Sequence, residues 1–501
     1  MKGTEVPASL VDLPDPCLLA VLRCLADEPV SMFSAARAHS RLHQAAVVVL
    51  SRIRASVKNQ QQLDNGLLPY MGKHGQHVDS LAVRCDWGTP PSLRQLPTSL
   101  QLTSLQLEGV SVQLQPDLAF QGVLRPGLPL KQLQLGVSCT LFDEKDGLAA
   151  ALHGLPALEH LRVSVSNQRI AMHVLQALHQ PTYLHLYCRY GGAFEAGGTF
   201  LQPLQELTSL RHLRVGGHSN HRFTADMLSA LCSLTHLELT QATLDPAALA
   251  GKKQLQHLQL PYCCMAGGVA GVTQLLSQLQ LLTQLTHLDL SGCVRDHQVE
   301  VGSPPAAAFS ALAASSKLQH LSIHGCTLPT GGWQHVFPAG RQLQVLQSLV
   351  LDSVTVGEST TGMEPNGGRT AGTAGTAGLG GSLVSCCPGL QSLQMRYMQC
   401  SKELLGALQG LSRLTMLRMG DVVGVSDGQE VHEPLCQLTG LRDLQLTVHS
   451  RPQGLLLPTR LKQLTRFANL DPTMGCTFIS IKVRIPYATY EAHVGGMLCR
   501  C

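Results

Sequence analysis

The chain has 501 residues, of which 44% are hydrophobic and only 14% charged, with a net charge of +4. That apolar content is ample for a folded core and excludes global disorder. The small positive excess gives no electrostatic footing for nucleic acid or for an anionic membrane.

Met1-Lys2-Gly3-Thr4-Glu5-Val6-Pro7 is followed by no apolar stretch of secretory type, which predicts no leader there. The longest compact apolar run, Ala45 to Leu50, is far short of a membrane span. Seventeen cysteines are scattered without a paired framework, and no Asn-x-Ser/Thr sequon occurs. This combination predicts free thiols in a reducing cytoplasmic setting, with the nucleus or a cytoskeletal structure such as the axoneme as alternatives.

Residues 9–50 carry no repeat and read as helical. Leu18, Val21, Leu22 and Leu25 fall at spacings of 0, 3, 4 and 7, one face of a helix. A second stretch, Ser31 to Leu42, offers Met32, Phe33, Ala35, Ala36 and Leu42, and a third begins near His43.

Residues 75–468 repeat one phrase, Leu-x-x-Leu-x-Leu. Among its copies are Leu102/Leu105/Leu107, Leu130/Leu133/Leu135, Leu210/Leu213/Val215, Leu285/Leu288/Leu290 and Leu441/Leu444/Leu446, with weaker copies starting at Val78 and Pro181. Thirteen steps from Val78 to Leu441 average about 28 residues, which makes about 14 repeats. Steps range from 21 residues (Leu234 to Leu255) to 44 (Leu346 to Leu390). The phrase alternates with period two, as a strand does, and the segments between phrases, such as Thr224 to Leu231 and Ser303 to Ala314, have helical spacing. One copy cannot bury its apolar edge alone, so neighbours must stack. The long step holds an insertion, 358–382, rich in Gly, Thr and Ala and read as a flexible surface loop. Residues 469–501 form a tail or cap in which Ile479-Ser480-Ile481-Lys482-Val483-Arg484-Ile485 alternates like one more strand.

The repeated phrase resembles that of leucine-rich-repeat proteins. The resemblance implies an α/β solenoid of horseshoe type, with a parallel sheet on its concave face. The ninth position of that consensus is Asn or Cys. Here it is Cys263, Cys293 and Cys326 in three consecutive units, but Ser138, Ser166, Ala242, Val354 and Val422 elsewhere. The segment before the repeats resembles an F-box: Leu13-Pro14, then a Leu-x-x-Val-Leu-x-x-Leu helix, then an Ala-rich helix. It departs from that pattern at Pro16-Cys17 and at Leu42. The resemblance implies the substrate-recognition subunit of an SCF-type ubiquitin ligase. Leu13, Pro14, Leu18, Val21, Leu22 and Leu25 would then dock the adaptor, the adaptor would join a cullin, and the concave face would hold an unknown protein substrate. The alternative is a non-ligase scaffold, cytoskeletal or axonemal, with residues 9–50 as an amino-terminal cap on the first repeat.

Between the leucines, alternate residues face out of the sheet. The third residue of the phrase is His160, Tyr183, His212, His236, His257, His287 and His320 in successive units. Two residues on lie Arg214, Glu238 and Asp289. This surface is the predicted partner site. A straight ladder of imidazoles does not converge as zinc ligands must, although Glu238 or Asp289 beside a histidine pair would help. A proton-sensitive surface and a plain duplication of a neutral solvated unit are the other readings. No cofactor is implied.

Gly424-Val425-Ser426-Asp427-Gly428 matches the nucleophile-elbow pattern, but Val422 and Val423 end a repeat phrase and Pro434 interrupts the next segment, so it reads as a loop. His432-Glu433 lacks the second histidine of a metalloprotease helix, and the vicinal pairs Cys263-Cys264 and Cys386-Cys387 read as turn packing. The sequence presents no catalytic constellation and points to binding.

Overall fold

The fold is that of a computed structural model. It describes residues 10, 13–24, 38–49, 51–85, 93, 95–110, 122–136, 147–165, 168–188, 199–217, 221–293, 304–357, 378–396, 398, 400–421, 434–435, 437–448, 465–470 and 477–482. The chain forms two compact units, residues 1–255 and 256–501.

The first unit opens with helices α1 (Asp15–Cys24) and α2 (Ser40–Val49). Leu18 and Leu22 of α1 and Leu42 and Ala46 of α2 are buried. Arg41 ties the pair together by donating to Asp15 Oδ1 at 2.5 Å and to the Leu13 carbonyl at 3.1 Å. Strands then come in order: β1 (Arg52–Ser56), β2 (Ser80–Arg84), β3 (Ser104–Glu108), β4 (Gln132–Leu135), β5 (His160–Val165), β6 (Tyr183–Cys188), β7 (His212–Gly217), β8 (His221–Phe223), β9 (His236–Leu239) and β10 (Ala242–Leu244). All but β8 and β10 join one parallel sheet in chain order, and β8 and β10 pair in parallel beside it.

One register runs across this sheet, aligning Ile53, Leu81, Leu105, Leu133, Leu161, Leu184, Leu213 and Leu237. Each of these is at most 3% exposed. A slip of one residue would turn the whole row to solvent, so the repeat itself fixes the pairing. Helical segments close the other side of the leucine layer, among them Gln168–Ala177, the 3-10 segment Thr199–Glu206 and Ala225–Ser229.

The second unit holds β11 (His257–Gln259), β12 (Cys264–Met265), β13 (His287–Asp289), β14 (His320–Ser322), β15 (Thr327–Pro329), β16 (Ser348–Val350), β17 (Thr355–Gly357), β18 (Ser392–Met395), β19 (Met416–Asp421), β20 (Asp443–Val448), β21 (Thr465–Leu470) and β22 (Thr477–Lys482). Strands β11, β13, β14, β16, β18, β19 and β20 pair in parallel, again in one leucine register from Leu258 to Leu444. The last two strands break the pattern: β22 pairs antiparallel with β20 and with β21. The predicted extra strand at 479–485 is therefore β22, bounded at Thr477–Lys482 and reversed in direction.

Three recurring bonds explain why each repeat closes the same way. The amide before each phrase's third residue, and that residue's own amide, donate to one carbonyl of the preceding repeat, as Thr286 and His287 do to Gln256 at 2.8 and 3.0 Å. Where the phrase has threonine second, its hydroxyl joins them: Thr103, Thr235, Thr286 and Thr415 each donate to that carbonyl at 3.1 Å. At the eighth position the backbone turns left-handed, at Gly109, Gly217, Gln241, Tyr262, Gly292, Gly325 and Ser353. This throws the ninth residue inward, where Val110, Ala242, Cys263, Cys293, Cys326 and Val354 are all buried. The Cys293 thiol donates to the Leu260 carbonyl at 2.6 Å, so it satisfies a buried acceptor from the repeat before. Short second strands start at or just after several of these ninth residues (β10, β12, β15 and β17), and among them β10 pairs with β8 and β17 with β15.

Three expectations shift. The sheet begins at Arg52, ahead of the predicted array boundary at 75, because Arg52-Ile53-Arg54-Ala55-Ser56 alternates without the leucine triad. The insertion predicted over 358–382 ends earlier: Leu379–Cys386 is helical, with Leu379 and Leu383 fully buried. Residues 358–377 lie outside the described residues. The helix predicted over Ser303 to Ala314 is a 3-10 segment, Ala306–Ala313, whose greater rise per residue spans the return path with fewer residues.

Candidate functional site

In both units the residues between the leucines form rows on the open face of the sheet. The first row of the first unit aligns Gln132, His160, Tyr183, His212 and His236. The first row of the second unit aligns His257, His287 and His320, with Ser348 next. All of the predicted face histidines and Tyr183 are partly exposed, so neither buried in the core nor free of neighbours. The second row holds Arg162, His185, Arg214 and Glu238 in the first unit and Gln259, Asp289 and Ser322 in the second. Arg214 pairs with Glu238 at 3.0 Å, and Asp289 accepts from the Ser291 amide at 2.9 Å and from its hydroxyl at 2.5 Å.

The rings stack. His257 and His287 lie 4.0 Å apart between centroids and His287 and His320 4.2 Å, closer than the ~4.8 Å between strands. His212 and His236 are 4.0 Å apart, while Tyr183 lies 5.8 Å from both His160 and His212. Face-to-face rings direct their nitrogens along the row's flanks and not at a common centre. Thr286 Oγ1 gives its proton to the Gln256 carbonyl, so its lone pair meets His287 Nδ1 at 2.9 Å. The imidazole proton is therefore assigned to Nδ1, and Nε2 is left as an acceptor. Thr235 holds His236 the same way.

Burial pushes His287 down to about 4, helped by His257 and His320, because a charge there is poorly solvated and repelled by its neighbours. Burial lowers His212 as well, with His160 and Arg211 adding to it, and burial lowers His320. At neutral pH His212, His287 and His320 are thus uncharged imidazoles, with the Arg214–Glu238 ion pair and the hydrogen-bonded Asp289 in the neighbouring row. The face can offer acceptors, flat rings and local charge to another molecule.

The predicted adaptor-docking residues divide. Leu18 and Leu22 are buried, Leu13 is half-buried, Pro14 is exposed and Val21 is 37% exposed. Leu25 and the Gly424–Gly428 pattern lie outside the described residues, as does His432-Glu433. The described cysteines, including Cys263, Cys264, Cys386 and Cys387, are free thiols. Among the described residues no helix is long and apolar enough to cross a membrane.

The phrase misses the seventh position. In β5 and β6 the alternation runs one period further, to the buried Val165 and Cys188. These strands, with β7, are six residues long and bring Ser164, Tyr187 and Gly216 into a third row. The extra apolar residue at the eighth position was the available signal.

Stacked parallel strands, a left-handed eighth residue and a buried ninth define the leucine-rich-repeat class of fold. The sequence matches no family model, and a search of curated proteins returns no relative. Among solved structures, the chain is similar to an internalin (inlF) from Listeria monocytogenes str. 4b F2365, at 16% identity and a TM-score of 0.45 over 74% of this chain and 88% of that one. It is also similar to the plant peptide hormone receptor RGFR1 in complex with RGF2 (12% identity, TM-score 0.38, 75% of this chain and 51% of that one). A TDR receptor gives 16% identity and a TM-score of 0.34 over 78% of this chain and 50% of that one. The chain spans about half the length of those two receptor chains.

Proposed function

We propose that this chain is a protein-binding array whose open face holds the partner. The observation that carries the reading is the register of His160, Tyr183, His212 and His236, all partly exposed, with Arg162, Arg214 and Glu238 in the row beside them, none of which the leucine core requires. Photocrosslinking tests it. A photoreactive residue at His212 or His287 should link to a partner in cells, while one at the exposed Gln274 on the helical side should not. Links from Gln274 alone would overturn the reading.

The more specific form is the substrate receptor of an SCF-type ubiquitin ligase, with ubiquitin transfer on other subunits and no chemistry on this chain. It is supported by the chain order, a Leu-Pro followed by an apolar helix directly ahead of the repeats. On this reading the exposed Pro14 and Val21 meet the adaptor, while Leu18 and Leu22 hold α1 against its own neighbours. Purified full-length chain and purified adaptor should co-elute, and Val21→Glu should abolish the complex. Failure of the wild-type chain to co-elute would end the ligase form and leave a scaffold in which α1 and α2 cover the first repeat.

A further inference from the structure

The six-residue strands of the first unit build more than a flat face. Between its second and third rows lies a hollow of about 460 Å³ lined by Arg84, Arg162, Arg214, His185, Ser164 and Tyr187, together with Glu108 and Gly136. Gly136 packs closely on Glu108 at its wall, where a Cβ would sit 3.2 Å from the Cα and Cγ of Glu108. The charge is lopsided. Among the described lining residues three guanidinium groups face one carboxylate, and Glu108 Oε1 already accepts from Gln106 at 3.0 Å and Gln134 at 2.7 Å. Arg214 also leans on Glu238, outside the hollow. Arg162 has no hydrogen-bond or ion-pair partner among the described residues.

Arg162 and Arg214 are two strands apart, on either side of the strand that carries His185. Two strand spacings are ~10 Å, a gap that two long arginine side chains close from both sides around one anion. His185 is only 6% exposed. Burial, with Arg214 and Arg162 beside it, pushes it down to about 4, so it stays neutral and adds no charge of its own. The first row of the same strands, His160, Tyr183 and His212, runs alongside and offers a surface for whatever flanks the anion.

We propose that this hollow takes an oxyanion carried on an extended polypeptide partner, a carboxylate or a phosphate, gripped by Arg162 and Arg214 and met by the hydroxyls of Ser164 and Tyr187. The proposal rests on the protein-binding reading and names one anchor of that partner. Arg162 acts as the free fork, and Arg214 exchanges part of its pairing with Glu238 for the ligand.

Calorimetry on the full-length chain at low salt tests it with three short alanine-based peptides that differ only in a central aspartate, phosphoserine or asparagine. At least one acidic peptide should bind about tenfold or more tighter than the asparagine peptide, and inorganic phosphate should compete with it. Binding of the phosphoserine peptide alone assigns the oxyanion to phosphate, and binding of both admits a carboxylate. Arg162→Gln with Arg214→Gln should weaken binding about tenfold or more at an unchanged melting temperature. Should that pair disturb the fold, Arg162→Gln alone, at an exposed and unpaired side chain, should still weaken binding severalfold. Equal binding of all three peptides, inorganic phosphate binding as tightly as either acidic peptide, or variants that bind like wild type would overturn the proposal. Crosslinking at His287 in the second unit is independent of these results, so loss of the hollow leaves the wider reading to stand or fall by itself.

Discussion

Strands β5 to β7 of the first unit and β11, β13 and β14 of the second obey the same leucine phrase and make different surfaces. In the first group the strands run six residues, a third row appears, arginines alternate with histidine and a hollow opens. In the second they stop after three residues, cysteine fills the ninth position, and three imidazoles stack within 4.2 Å. The leucines dictate the core and the pairing in both. The residues after the sixth position differ: a further buried apolar residue, Val165 or Cys188, lies in the longer β5 and β6, whereas a left-handed eighth residue with a buried thiol after it follows the short β11, β13 and β14.

The largest expected effect tests what the two groups share. Leu213→Ala and Leu288→Ala remove equivalent buried side chains, 1% and 3% exposed, and each should cost about 2–5 kcal/mol by denaturant unfolding. A much smaller cost in one unit would break the claim that both cores are the same.

The eighth position tests what separates neighbouring repeats. A Cβ on Gly217 would lie 2.0 Å from the Cys188 carbonyl oxygen, in a backbone conformation that already disfavours side chains. Gly217→Ala should therefore destabilise by about 1–3 kcal/mol. Ser353 already bears a side chain at φ 53°, and Ser353→Gly should be neutral or stabilising by up to about 1 kcal/mol. A destabilising Ser353→Gly would show that the serine side chain matters more than the turn.

Acid titration sharpens the comparison further. His185 and His221 in the first unit and His287 in the second are each pushed down to about 4, mainly by burial. Unfolding returns them to about 6.5, so the unfolded chain binds more protons between those values. Their contribution is fully present above about 6.5 and is lost as pH falls toward 4. Melting temperatures should drop across that window. His287→Gln should flatten the drop for the second unit and His185→Gln for the first. A drop unaffected by either change would assign the acid sensitivity elsewhere.

The leucine row and the third-position ladder were legible because both repeat at a fixed place in the phrase, and the strand period of two converts that place into a face. The hollow was not. It needs residues from several repeats, Arg84, Arg162 and Arg214 among them, whose meeting no single phrase spells out. Left-handed Gln241, Tyr262 and Ser353 were equally hidden, because their residue types do not mark a left-handed turn as glycine does. Burial of Leu18 and Leu22 against the chain's own core cannot be told from a periodic apolar helix face alone, since one stripe suits a neighbour and a partner equally.

On the proposed reading the open-face histidines serve contact and not stability. Replacing His257, His287 and His320 together by Gln, in a chain carrying the photoreactive residue at Asp289, tests this directly. Thermal unfolding at neutral pH should stay within about 2 °C of the parent while crosslinked partner is lost. A chain that unfolds on this substitution, or one that crosslinks as strongly as before, would contradict it.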